Sequence, residues 1–161
     1  MPTYCSRGSG ARSWRSHLHW ILAIAASAAA AWITLSAHAG GLSACALADQ
    51  ADVAQAIGSA TGPAQPDQIG GCSWMSAKAG ISIQPQDGGR AKFEFDRGRI
   101  QGAQAIPGLG DDAFGFQSLA GFVQINLLKG DHYVVIILQD AEGANRMKRA
   151  SVLAANIAQR M

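Results

Sequence analysis

Two small groups of residues in this sequence have types and spacing that could do chemistry. Asp111-Asp112 is a carboxylate pair, and His132 is the single imidazole after residue 40. A carboxylate near a histidine could serve a hydrolase or transferase as acid and base. Paired carboxylates are also the hard oxygen ligands that calcium takes. Neither pattern is complete, because no D-x-D-x-D-G, H-E-x-x-H or G-x-S-x-G accompanies them. The expectation is a solvated turn, with Asp111 bonding a backbone amide and His132 just past a hairpin turn at the surface. No catalytic, cofactor-binding or metal-binding residue is assigned.

Two further patterns carry weaker chemistry. Gly108-Leu109-Gly110-Asp111-Asp112-Ala113 matches the G-x-G-x-x-A spacing of dinucleotide sites. That motif works only between a strand and a helix whose N-terminus meets the pyrophosphate. Here Pro107 precedes it and a strand pattern follows, so a tight turn with positive-φ glycines is expected. Arg90, Lys92, Arg97 and Arg99 surround Phe93 and Phe95. Basic residues among aromatics can hold single-stranded nucleic acid, but the charge balance and the export pattern below exclude that partner. A solvated charged edge is expected, with contact to an anionic envelope surface as the alternative.

Length and composition set the frame. The 161 residues suit one domain, and 48% hydrophobic with only 15% charged residues excludes a coiled coil or a long disordered tail. Arg7, Arg12 and Arg15 precede residue 40, leaving 10 basic against 11 acidic groups in the remainder. A near-neutral domain is a poor nucleic-acid binder.

The three early arginines, the uncharged run from Trp20 to Leu35 and Ala37-His38-Ala39 form a secretory signal peptide over residues 1–39, cut between Ala39 and Gly40. A retained membrane anchor is the alternative, but its eight alanines, at 23, 25, 26, 28–31 and 37, bury little area in lipid. Residues 40–161 then form a single exported domain, periplasmic or secreted. Leu42-Ser43-Ala44-Cys45 also has the form of a bacterial lipobox, set apart from the apolar run by Ser36 to Gly41. After cleavage Cys45 and Cys72 remain, and an oxidising compartment favours a bridge between them. Lipidation of Cys45 would preclude it, and two free buried thiols are the other alternative. Neither cysteine belongs to a C-x-x-C pair, so redox and zinc signatures are lacking.

The elements that must position these residues follow from periodicity. Asp49 and Asp52 cap a helix over 50–57 that stops at Gly58. Residues 59–70 and 85–89 are loops, and Cys72 to Ile83 is a hairpin turning at Lys78-Ala79-Gly80. Residues 90–100 fit either a strand or a short helix. Strands follow at Asp112–Gln117 and Gly121–Leu128, and the unbroken apolar run Tyr133 to Leu138 reads as a central strand. The final helix starts near Asp140 with Met147, Ala150, Ala154, Ile157 and Met161 inward and Arg146, Lys148 and Arg149 mostly outward. The class is α+β: an antiparallel sheet of about five strands with the N- and C-terminal helices packed on one face.

Cys45-x-Leu47, the first helix, Gly71-Cys72-Ser73-Trp74, Pro107-Gly108-Leu109-Gly110-Asp111-x-Ala113-Phe114 and Lys129-Gly130-Asp131 recur together here. This pattern resembles a family of small exported bacterial proteins and lipoproteins of unknown function, with Ala48 and Asp49 in place of a second leucine and a threonine cap. The resemblance implies the Cys45–Cys72 bridge and the architecture, and no catalytic residue. The expected function is non-enzymatic binding of an envelope protein or ligand. A small extracytoplasmic enzyme using Asp111, Asp112 or His132 and a structural envelope protein are the alternatives. A membrane enters only through a retained N-terminus or a lipidated Cys45. Mass spectrometry of the exported protein should find Gly40 first; a diacylglyceryl group on Cys45 would overturn both cleavage and bridge.

Overall fold

The computed structural model describes residues 41–59, 61–140 and 145–161. The signal segment and the junction between Ala39 and Gly40 lie outside the described residues. After a 3-10 turn at Ala44–Ala46, the order is α1 (Gln50–Ile57), β1 (Gln65–Pro66), β2 (Cys72–Met75), β3 (Ala79–Gln86), α2 (Gly89–Arg99), β4 (Gln104–Ala105), β5 (Asp112–Gln117), β6 (Phe122–Lys129), β7 (His132–Asp140) and α3 (Arg146–Arg160). The α+β antiparallel sheet is present, with seven strands in the order β1-β2-β3-β7-β6-β5-β4. The extra strands, β1 and β4, are two-residue edge pairs too short to show a period of 2.

β7 stands in the middle of the sheet because its apolar run must be buried on both faces. On one face Val134, Ile136 and Leu138 join Ile81, Ile83, Val123, Ile125 and Leu127 under α1 and α3. On the other, Tyr133 and Val135 join Phe114 and Leu128 under Phe93 of α2. The N- and C-terminal helices share one face as expected, and α2, from the segment that fitted either a strand or a helix, adds a cover on the other. Residues 91–96 alternate like a strand, which would place Phe93 and Phe95 together. In the helix Phe93 is fully buried while Phe95 is 56% exposed, since a 3.6-residue period separates them.

Other boundaries moved for identifiable reasons. β3 runs through Pro85 to Gln86, beyond the point where β2 ends opposite Ile83. On that side β3 is an edge strand, where proline costs no ladder bond. Asp140 pairs with Ala79 as the last residue of β7, and the described part of α3 begins at Arg146. Within the loop expected at 59–70, Gln65 and Pro66 pair with Ser73 and Cys72.

α1 is fastened at both ends. Asp49 accepts from the Asp52 amide at 2.8 Å, Asp52 accepts from the Asp49 amide at 3.5 Å, and Gly58 ends the helix at φ 73°. Arg160 of α3 bonds the Leu47 carbonyl at 3.0 Å and pairs with Asp52 at 2.5 Å and Asp49 at 3.2 Å. Burial pushes the Asp52 carboxyl up, but Arg160, the Asp49 amide and Asn156 together outweigh it and hold the group below its ordinary value. Cys45 and Cys72 form a disulfide with their Cα atoms 5.1 Å apart. It ties the segment before α1 to β2 beside the buried Trp74.

The bridge closes a loop of 27 residues, worth about 3 kcal/mol on the chain-entropy account. Reduction should lower Tm by on the order of 10 °C for a domain of this size. Scanning calorimetry with and without reductant tests this, and equal Tm values would show that the bridge contributes nothing.

Candidate functional site

The residues singled out for chemistry gather at one end of the sheet, where both aspartates hold parts of the fold together. Asp111 accepts from the Gly130 amide at 2.7 Å, so its carboxylate closes the β6–β7 turn. Asp112 pairs with Arg97 of α2 at 2.5 Å. His132 is exposed at the first position of β7. Gly108 and Gly110 take φ 76° and 61° in the turn before β5, as expected, and a strand rather than a helix follows. Among the described residues no group of three or more His, Cys, Asp or Glu is placed to hold a metal ion.

α2 is clasped to this end by polar contacts around an aromatic cluster. Phe93 meets Phe114 at 5.1 Å and Tyr133 edge-on at 5.5 Å between ring centroids. The Arg97 guanidinium lies 4.8 Å from the Phe93 centroid while its charge faces Asp112. Arg97 is the main cause holding the Asp112 carboxyl below its ordinary value, and Asp112 raises Arg97 in return. Tyr133 Oη lies 2.9 Å from Asp96 Oδ2 and 2.7 Å from Asn126 Oδ1, and Lys92 completes the cluster at Asp96. Burial first, then Asp96, pushes the phenol up, so Tyr133 stays protonated.

A phenol has one proton for these two acceptors, while Asn126 Nδ2 is buried without a partner among the described residues. Turning the amides of Asn126 and Gln124 through 180° makes Asn126 a donor to both neighbours and leaves the phenolic proton to Asp96. Asn126, expected on the solvent side of a half-buried strand, is fully buried because α2 covers it.

The register shows what α2 leaves uncovered. Gln86, Tyr133, Leu128 and Asp112 form the first cross-strand row on this face, and Gln84, Val135, Asn126 and Phe114 the second. Ser73, Ser82, Ile137, Gln124 and Phe116 form a third row, all half-buried. Met75, Gly80, Gln139 and Phe122 form the fourth. Met75 is 51% exposed and lies across Gly80, where a Cβ would meet its sulfur at 2.6 Å. Phe122 packs edge-on against Phe116 at 5.9 Å.

The fourth row opens into a cleft of about 570 Å³ between the β2–β3 and β5–β6 hairpins, with Gly121 and Arg146 on its wall. Arg146, expected outward, is half-buried. Its Nε is buried with no hydrogen-bond partner among the described residues, and its Nη1 stands beside Gly121. The site is therefore a half-apolar platform of amides, hydroxyls and two phenyl rings, ending at a cleft with Arg146 and Lys78 on its wall. None of its members was legible as a site in the sequence. The available sign was Gln124 and Asn126, two amides on alternate positions of a strand beside the central one.

No protein-family model matches the chain, and no curated protein or solved structure is significantly similar to it.

The α2 clasp carries a pH signature. Asp112 is depressed below the ordinary carboxyl value of 3.8, so its stabilisation is complete above that value and fades as pH falls through the folded-state pKa. Urea midpoints measured between pH 6 and pH 2.5 should fall less steeply for Asp112→Asn than for wild type. Parallel curves would show that the Arg97 pair is not part of the acid response.

Proposed function

We propose that this chain is a non-enzymatic exported domain of the bacterial envelope that binds its ligand on the uncovered half of the α2-bearing sheet face. The observation that carries this reading is the third and fourth rows. Ile137, Phe116, Phe122 and Met75 keep exposed surface there beside Ser73, Ser82, Gln124 and Gln139. Apolar side chains with a few polar groups on a concave surface are the usual makings of a ligand site. The residues that an enzyme would need lie at the opposite end of the sheet. Asp111 is engaged by Gly130, Asp112 by Arg97, and His132 lines none of the clefts described.

The resemblance to exported two-cysteine proteins supports the compartment, which the bridge suits. A sulfur bonded to Cys72 has no valence for a thioether, so in this reading Cys45 is not lipidated and the mature domain is periplasmic or secreted.

The probe for this site is 8-anilinonaphthalene-1-sulfonate, titrated into the ¹⁵N-labelled mature domain. Amide shifts should cluster at 73–75, 80–84, 122–126 and 137–139, and His132→Ala should bind the probe as wild type does. Ser82→Glu, which places a like charge in the third row, should weaken binding about fivefold or more with the fold intact. Shifts gathered at 108–112 and 130–133, or loss of binding in His132→Ala, would overturn the reading in favour of the enzyme.

A further inference from the structure

Arg146 points to the chemical class of the ligand. A guanidinium is charged at every accessible pH and carries five N–H donors. Among the described residues no ion pair or hydrogen bond to Arg146 is present, and its Nε is shut away from water. A buried donor without an acceptor is costly, and more so when it is charged. Two arginines paired across elements behave differently: Arg97 spends its charge on Asp112, and Arg160 spends its own on Asp49 and Asp52. Arg146 lines a cleft and has no carboxylate partner among the described residues. It stands on the first turn of α3, which contains no acid, and where the helix dipole also favours negative charge.

The rest of the cleft wall is mixed: apolar surface from Met75, Phe122 and three alanines, beside Ser76, Gln139 and Lys78, a second cation that is engaged in an interaction of its own. Met75 lies over Gly80 and Phe122 flanks Gln139. Leu119, at the tip of the adjoining hairpin, is fully exposed beside Ala120 and Gly121 of the cleft. A small inorganic anion would satisfy the guanidinium and leave these surfaces wet. A neutral apolar molecule would cover them and leave the guanidinium unpaired.

We propose that the cleft takes an amphipathic anion, with a carboxylate or phosphate on Arg146 and an apolar body against Met75 and Phe122. This rests on the reading of the uncovered face as the ligand site and gives that site its charge preference. The same chemistry is shared by a free carboxylic acid and by a lipid headgroup with its chain. A bidentate guanidinium contact fixes orientation as well as charge, so the polar end sits at the hairpin end of the sheet and the body extends toward Ile137.

The test compares octanoate, octyl phosphate, 1-octanol and inorganic phosphate on the mature domain by the same amide-shift titration. Octanoate and octyl phosphate should each bind about tenfold or more tightly than 1-octanol. Inorganic phosphate should bind far more weakly than either. Octyl phosphate well above octanoate would identify a phosphate headgroup as the natural end, and the reverse a free acid. Arg146→Gln should abolish the advantage of the anions over the alcohol, and Arg146→Lys, which keeps the charge, should retain part of it. Melting curves confirm that both variants fold. Equal affinity for octanoate and 1-octanol, or an anion preference that survives Arg146→Gln, overturns the proposal. If that happens while the anilinonaphthalene probe still maps to the third and fourth rows, the charge assignment alone has failed. If no probe maps there, the site reading fails with it.

Discussion

The structure depends on one mismatch of length. β7 is apolar on both faces from Tyr133 to Leu138, so both faces of the sheet need a cover. Nine strand residues extend about 30 Å at roughly 3.3 Å each, whereas the 11 residues of α2 make a helix of only about 16 Å. α1 and α3 together close the first face. On the second, α2 cannot cover the whole strand however it is laid. The rows beneath Phe93 become dry core, and the rows around Ile137 remain open. Burial of β7 thus creates both the second core and the candidate site beside it.

The position of α2 along that face is set by charge and hydrogen bonding as much as by its single buried phenylalanine. A helix offering one fully buried side chain has little hydrophobic hold of its own. The Arg97–Asp112 pair, the Tyr133–Asp96 bond and the stacking of Arg97 on two rings supply direction, since each fails if the helix slides by one turn. This accounts for the fate of Asp112. A carboxylate that resembles half of a catalytic pair in the sequence is an anchor for a helix.

The opposite face is held by different means. The α1–α3 pair is closed by Arg160 across the two capping aspartates, so the side chains that start α1 also bind it to the end of the chain. The disulfide then fixes the segment leading into α1 against β2. Lys129 reaches from the β6–β7 turn to the Ala158 carbonyl near the end of α3. The covered face is therefore tied to its helices at several points, while the side chains on the uncovered half of the other face make contacts within the sheet, such as Ser82 with Gln84 and Phe116 with Phe122, as suits a surface that exchanges contacts with a ligand.

Much of this was legible in residue order. Asp49 and Gly58 bound α1 because capping and positive φ are local requirements. β5, β6 and β7 followed from periodicity, and β7 from an apolar run that only a central strand can bury. The turn glycines at 108 and 110 and the pairing of Cys45 with Cys72 were local or compartment arguments that needed no fold. What residue order could not decide was anything set by a neighbour distant in sequence. Residues 91–96 alternate like a strand, and only the aromatic pocket of Phe114 and Tyr133 makes them a helix with Phe93 in and Phe95 out. Asn126 reads as solvent-facing until α2 covers it. Arg146 reads as one more outward cation on an amphipathic helix until two hairpins bring Met75 and Phe122 to face it. Burial and charge pairing are properties of what packs against a residue, so the sequence alone determined the long strands, the first helix and the turns, and the tertiary structure alone decided the short edge pairs and which part of the sheet stayed open.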